Sequence, residues 1–341
     1  MSAVPHDLPA LRAALLGWYD AHARSLVWRA TGGAPPDPYR VWLSEVMLQQ
    51  TTTVHAAPYF EAFTRRWPTV SDLAAADDAE VMAAWAGLGY YARARNLWPA
   101  ARAVANNQGG VFADTEAGLL ALPGVGPYTA AAVAAIAFGR PPNVVDGNVE
   151  GVISRLFAVD TPLPAAKPEL RRLAGSLVAD DRPGDWAQAL MDLGATVCRP
   201  GRPLCAACPL TAVCAAFQSG APERWPRKAP KRERPRRHGV AWVLRDDNGR
   251  VALVRRPEKG LLGGMLGLPT SDWGAPADPA PPVAADWRHA GAVEHVFTHF
   301  SLTLQVRAGQ GTGDFLWTPA DEARAALPTV FRKALERGLA A

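Results

Sequence analysis

Apolar positions recur at helical spacing from the start of the chain to about residue 220. Val149, Val152, Ile153, Leu156 and Phe157 fall at i, i+3, i+4, i+7 and i+8, one face of a helix. Val41, Trp42, Val46 and Leu48 carry a similar spacing through Val41–Thr53, and Ala130–Phe138 is apolar throughout, which also predicts a helix. Clusters of Gly, Pro and Asp at 32–37, 109–110, 141–143, 161–164 and 182–185 separate these segments. Beyond residue 238 the pattern shortens. Val240–Leu244, Val251–Val254 and Leu302–Val306 are brief β-branched or alternating runs, Asp247-Asn248-Gly249 suits a hairpin turn, and Pro328–Leu339 reads as a final helix. The expected fold is multidomain: an all-helical domain over 1–221, a linker over 222–238 and a small α+β domain over 239–341.

The composition is 49% apolar and 20% charged, which excludes a mainly disordered chain. The net charge of +4 is unevenly spread: Glu223–Arg237 carries eight Lys/Arg and two Glu, so the remainder is slightly acidic. Four prolines among these charges make 222–238 a linker, and its basic character makes it a candidate contact for a polyanion such as DNA or for a partner protein. No secretory leader is legible, and the longest fully apolar run, Ala130–Phe138, falls far short of the ~20 residues that cross a bilayer. A soluble, cytoplasmic monomer without membrane contact is expected.

Three features carry chemistry. Cys198, Cys205, Cys208 and Cys214 form a C-x6-C-x2-C-x5-C cluster. Disulfides are rare in the cytosol, so four clustered thiolates suit a tetrahedral zinc or a 4Fe–4S cluster, and the single short C-x2-C pair favours the latter. Leu122-Pro123-Gly124-Val125-Gly126 precedes a small-residue helix, an arrangement in which Gly124 and Gly126 can take positive φ and bare N–H groups face a phosphate. That is a helix–hairpin–helix signature for DNA binding without sequence preference. Finally, two carboxylates have contrasting settings. Glu45 lies among Val41, Trp42, Val46, Met47 and Leu48, where desolvation favours the protonated form. Asp146 lies where a loop meets a helix N-terminus, which favours the ionised form.

With Ser44–Thr51 (SEVMLQQT), Gly87–Leu97 (GLGYYARARNL), Val144–Asn148 (VVDGN) and Gln188–Ala195 (QALMDLGA) added in order, the chain resembles the iron–sulfur DNA glycosylases of the endonuclease III superfamily, and within it the MutY adenine DNA glycosylase family. The resemblance continues through Gly260–Pro269 and His295–Phe300 into a Nudix-like domain. It implies a monofunctional enzyme that removes adenine mispaired with 8-oxoguanine or guanine in double-stranded DNA. Glu45 would protonate adenine N7, and Asp146, with Asn148 beside it, would face the sugar cation. Bifunctional relatives carry Lys where this chain has Tyr128, which cannot form a Schiff base and is expected to buttress Asp146. The resemblance further implies a 4Fe–4S cluster on the four cysteines.

Leu48, Gln49, Gln50 and Tyr90 match positions that wedge into the duplex, and Arg29 and Gln188 match the adenine pocket. Phe297-Thr298-His299 matches a loop that reads 8-oxoguanine by stacking and hydrogen bonding. Arg24, Arg93 and Arg95 are candidate phosphate contacts. The region from Lys259 to Val293 holds no Glu, so the Nudix-like domain is expected to bind without hydrolysing. One departure bears on catalysis: Gly151 stands where the family carries Arg, inside the helix after Asp146, at ~1 kcal/mol relative to Ala. The alternatives are a thymine or uracil mismatch glycosylase of the same superfamily, a cluster-bearing DNA-binding protein without catalysis, and a Nudix hydrolase.

Overall fold

The computed structural model describes residues 7–30, 33–230, 234–257, 260–274, 279–297 and 299–341. The chain divides into two compact units between Ala229 and Pro230. Helices build the first: α1 (Leu8–His22), α2 (Pro38–Leu48), α3 (Thr53–Arg66), α4 (Val70–Ala75), α5 (Asp78–Ala84), α6 (Ala92–Asn107), α7 (Glu116–Leu120), α8 (Pro127–Phe138), α9 (Gly147–Leu156), α10 (Lys167–Gly175), α11 (Pro183–Thr196) and α12 (Ala215–Gln218). The all-helical expectation for this half is borne out.

The helical spacing across Val41–Thr53 hides a break. α2 stops at Leu48, Gln50 takes a left-handed φ of 58°, and Thr52 caps a new helix by accepting the His55 N–H at 3.3 Å. Capping chemistry outweighs apolar periodicity there.

α8 organises the unit. Its sequence PYTAAAVAAIAF is apolar all round, so it needs cover on every side. Ala130, Val133 and Ala134 face a core built with α2, α3 and α6, while Ala131, Ala132 and Ala135 face a second core with α1, α9 and α11. Small side chains let both layers approach. Gly194 serves the same end on α11, because a Cβ there would sit 2.7 Å from the Asn148 carbonyl at the start of α9.

The second unit is a sheet with two helices: β1 (Arg236–Arg245), β2 (Val251–Arg255), β3 (Leu266–Gly267), β4 (Arg288–Val296), β5 (Ser301–Gln310), β6 (Leu316–Thr318), α13 (Ala320–Ala326) and α14 (Thr329–Leu339). The strand order is β3-β2-β1-β5-β4, with β6 paired to β2. β1 and β5 run parallel over ten residue pairs, and the other pairings are antiparallel. The α+β expectation therefore holds. The hairpin turn forms as expected: Asp246 Oδ1 accepts the Asn248 and Arg250 N–H groups, and Gly249 takes a φ of 75°. α14 buries Val330, Phe331, Ala334 and Leu335 against the sheet.

The basic stretch 222–238 is structured at both ends. Pro222 O accepts Arg155 Nε, Trp225 is buried, and Leu163 exchanges backbone hydrogen bonds with Arg227 and Ala229. Residues 236–238 already belong to β1. The prolines leave carbonyls free to accept, so a proline-rich stretch can still lie down on a helical surface. No described helix is long and apolar enough to cross a membrane.

Candidate active site

α2 presents Glu45. Asp37 caps the helix by accepting the Tyr39 N–H at 2.8 Å, and the segment from Val41 to Met47 is buried throughout. Glu45 is only 7% exposed, at the wall of a cleft of about 280 Å³ that Tyr19, Arg24, Arg29, Leu48, Gln188 and Met191 also line. Burial pushes its carboxyl up to about 7. A hydrogen bond from the Tyr128 hydroxyl pulls the other way, the Asp146 charge adds to the rise, and Arg29 opposes it. Tyr128 itself is held well above the ordinary phenol value, so it stays a donor. Its hydroxyl lies 4.0 Å from Met191 Sδ, and the charges of both Glu45 and Asp146 act on it. Helix α8, whose first turn carries Tyr128, packs on α2.

Asp146 caps α9. Its Oδ1 accepts the Val149 N–H at 2.7 Å and its Oδ2 accepts Asn148 Nδ2 at 2.7 Å. These bonds pull its pKa down, yet burial outweighs them and the net direction is upward. The expectation of a low value is corrected for that reason: the cap was local and legible, the covering elements were not. Asn148 accordingly acts on Asp146 directly. Asp146 and Tyr128 do not line this cleft, but both act electrostatically on Glu45.

The arginines depart from expectation. Arg29 makes a two-pronged bond to Asp192, with NH1–Oδ2 at 2.7 Å and NH2–Oδ1 at 2.8 Å. Arg24 adds its Nε at 2.6 Å and its backbone N–H at 2.9 Å. Asp192 is completely buried; burial pushes its pKa up, but these donors more than offset that and leave it below the ordinary value. Arg24 is thus anchored on Asp192 while still lining the cleft, and Asp192, the buried acid that holds both cleft arginines, is the residue that sequence reasoning missed. The available signal was an acid inside the otherwise apolar stretch Ala189–Leu193. Arg93 is also buried, donating to backbone carbonyls, and does not face solvent as a phosphate contact would. Arg95 is half-buried.

Gln188 and Leu48 line the cleft, whereas Gln49 turns toward α8 and donates to Thr129 Oγ1 at 3.2 Å. Gln50 and Tyr90 are exposed, both with left-handed backbone. In the hairpin only Gly124 takes positive φ, at 72°; a Cβ there would meet Asn96 at 2.4 Å. Gly126 is extended, as the N-cap of α8.

The four cysteines are half-buried and unpaired, strung along the loop between α11 and α12. Arg155 NH1 lies 3.3 Å from Cys198 Sγ, and Cys214 Sγ donates to the Arg155 carbonyl at 3.5 Å. Burial raises the thiols of Cys198, Cys208 and Cys214, that of Cys208 to about 12, and neighbouring thiols add to each rise. Four mutually sensed sulfurs fit a thiolate-ligated group, which would stabilise the charged forms that burial opposes. Among the described residues these side chains are not drawn in to a common centre.

In the second unit Phe297 is packed inward. It stacks on Trp273 at 5.6 Å and lies 4.9 and 4.5 Å from the Phe300 and His295 rings, so it is half-buried in an aromatic cluster. His299 is exposed, and Thr298 lies outside the described residues.

Comparison with known proteins agrees with this arrangement. Residues 43–177 match the HhH-GPD superfamily base excision DNA repair proteins and residues 240–337 match the NUDIX domain. The human adenine DNA glycosylase is 38% identical over 367 aligned residues, covering 88% of this chain and 67% of its own. The adenine DNA glycosylase of Mycolicibacterium smegmatis is 39% identical over 235 residues, or 68% of this chain and 79% of its own. Among solved structures, a thermostable thymine-DNA glycosylase superposes with a TM-score of 0.56 at 30% identity, over 62% of this chain and 97% of its own. A trapped endonuclease III–DNA covalent intermediate gives 0.51 at 23% identity, over 62% of this chain and 98% of its own, a likeness of fold alone. Two-domain matching of this extent, with the helical cleft and the sheet unit in the same order, places the chain in the adenine DNA glycosylase family.

Proposed function

We propose that the protein removes adenine from double-stranded DNA in base excision repair, by heterolysis of the N-glycosidic bond. One observation carries the reading: a carboxyl raised to about 7 by burial, at a cleft wall, within the field of a hydrogen-bonded carboxylate. Glu45 gives its proton to N7 of the extruded adenine. The C1′–N9 bond breaks with its electron pair going to N9, and the Asp146 carboxylate stabilises the cation left on the sugar. Water then adds to C1′, and the Glu45 carboxylate takes up the released proton. Tyr128 donates to Glu45 and keeps its pKa from climbing further. Because Tyr128 offers no amine, the product is an abasic site in an uncut strand.

Gln50 and Tyr90 fill the space the base leaves, and the hairpin with Gly124 and Gly126 takes the backbone phosphate. The turn at 297–299 reads 8-oxoguanine or guanine opposite the adenine. Cys198, Cys205, Cys208 and Cys214 hold a 4Fe–4S cluster, which when bound ties the loop after α11 into one rigid piece. Metal analysis of purified protein at about four irons per chain supports that assignment, and zinc overturns it.

The deciding experiment presents duplexes with adenine opposite 8-oxoguanine, adenine opposite guanine, thymine opposite guanine and uracil opposite guanine. Strand cleavage only at adenine, and only after alkali, is expected. Cleavage at thymine or uracil would overturn the reading.

A further inference from the structure

Gln50 and Tyr90 share an uncommon feature. Both are exposed non-glycine residues in left-handed backbone, with φ of 58° and 50°. A non-glycine residue held there is strained and persists only where its surroundings over-determine it. The two lie on different loops, one between α2 and α3 and the other between α5 and α6.

One side chain reaches both loops. Arg93, in the first turn of α6, is 8% exposed. Its NH1 donates to the Val46 carbonyl at 3.0 Å and the Met47 carbonyl at 2.6 Å, two of the last carbonyls of α2, which lack helical partners. Its NH2 donates to Thr51 Oγ1 at 3.1 Å, and to the Leu88 and Gly89 carbonyls at 3.3 and 3.1 Å. These acceptors bracket Gln50 on both sides and immediately precede Tyr90. The guanidinium also lies 5.4 Å from the Tyr90 ring centre and 5.2 Å from that of Trp85. The neighbouring Gly87 and Gly89 are left-handed as well, and Trp85 Nε1 donates to the Gly89 carbonyl at 3.0 Å. A planar fork with five donors can span these acceptors, which the compact ammonium of Lys cannot do.

We propose that Arg93 is a positioning residue that locks Gln50 and Tyr90 into one preformed two-pronged wedge, so that both loops are set before the duplex arrives. The inference rests on the reading of Gln50 and Tyr90 as the residues that replace the extruded base. Strain and ordering are then met in the free protein, and binding energy goes to unstacking the adenine.

The test uses the full chain and a duplex with fluorescent 2-aminopurine beside the target adenine, which brightens as the base leaves the stack. Arg93→Lys is expected to slow this step and the single-turnover rate by about tenfold. The pH profile of the chemical step should stay as in the wild type. In the Gln50→Ala/Tyr90→Ala background the same substitution should cost less than about twofold, because there is no wedge left to position. A loss of equal size in both backgrounds overturns the inference and leaves the wedge reading intact. Wild-type brightening in the Gln50→Ala/Tyr90→Ala protein overturns the wedge reading, and this inference with it. Should Arg93→Lys fail to fold, Thr51→Ala removes one acceptor only. It should slow brightening by about twofold in the wild-type background and not at all in the other; equal slowing in both is again the overturning result.

Discussion

The cleft of the helical unit and the turn of the sheet unit handle polarity in opposite ways. In and around the cleft, charged groups are withdrawn from water and held: Glu45 is buried in the wall, half-buried Asp146 accepts from Asn148 and the Val149 N–H, and buried Asp192 is gripped by Arg24 and Arg29. At the turn, the buried part is aromatic, with Phe297 stacked on Trp273, and the polar group, His299, stands in solvent. Bond breaking needs groups whose pKa is displaced and whose dipoles are already aligned, and burial supplies both. The proposed reading of the opposite base needs only donors and acceptors on an aromatic floor, which is the arrangement His299 and the Phe297–Trp273 stack offer.

If that contrast is right, the largest losses come from the cleft. Glu45→Gln and Asp146→Asn should each lower the single-turnover rate by about a thousandfold or more while duplex binding persists. Gel-shift affinity with a non-cleavable adenine analogue separates the two effects. Glu45→Gln should also change stability with a definite sign. A carboxyl whose folded value is about 7, against 4.5 when free, disfavours folding as pH rises between those values. The variant should therefore gain melting temperature over wild type at pH 8 relative to pH 5. No gain at pH 8 would mean that Glu45 is solvated, and the contrast would fail at its centre.

Asp192→Ala should follow, at about 3–5 kcal/mol of stability, because it strands two partly buried arginines beside the cleft. Chemical denaturation measures this. A cost below about 1 kcal/mol would place the pair among surface ion pairs and remove the argument that the cleft is preorganised.

What the sequence could show tracks the same divide. Helical periods, the hairpin, the cysteine spacing and the apolar neighbours of Glu45 are all local, and they were legible. Asp192 was not, since its partners are 163 and 168 positions away. The Arg93 contacts were hidden for another reason: backbone carbonyls leave no mark on a residue string. The direction of the Asp146 shift depended on burial by other elements, whereas its cap could be read from one dipeptide. In the sheet unit β4 escaped notice because RHAGAVEHV is half exposed and interrupted by a register shift between His289 and Gly291, which blurs alternation.

Smaller effects sharpen the comparison. Tyr128→Phe removes a donor that lowers the Glu45 value, so the alkaline fall of the single-turnover rate, near 7 in the wild type, should move upward by under about one unit. A downward move would assign Tyr128 to Asp146 after all. His299→Ala, at the exposed turn, should leave the pH profile alone and reduce discrimination between 8-oxoguanine and guanine by about fivefold, one hydrogen bond's worth. An equal fall on both duplexes would show a structural part for His299.

The smallest expected change is at Gly151. The family carries Arg there, and its loss bears on whether the Asp146 loop is rigid. α9 nevertheless runs unbroken from Gly147 to Leu156, and the Asp146 side chain closes its first turn. A Cβ at Gly151 would meet nothing within 4 Å. Gly151→Ala should thus stabilise the protein by about 1 kcal/mol through helix propensity alone and leave the single-turnover rate unchanged. Gly151→Arg should gain a similar amount. The reason is that the cap, not the middle of the helix, fixes where the carboxylate points: the bonds from Val149 and Asn148 both lie before residue 151. A rate that rises with stability in either variant would show that the carboxylate moves with the helix interior, and the claim that cleft groups are set by their own partners would have to be given up for Asp146.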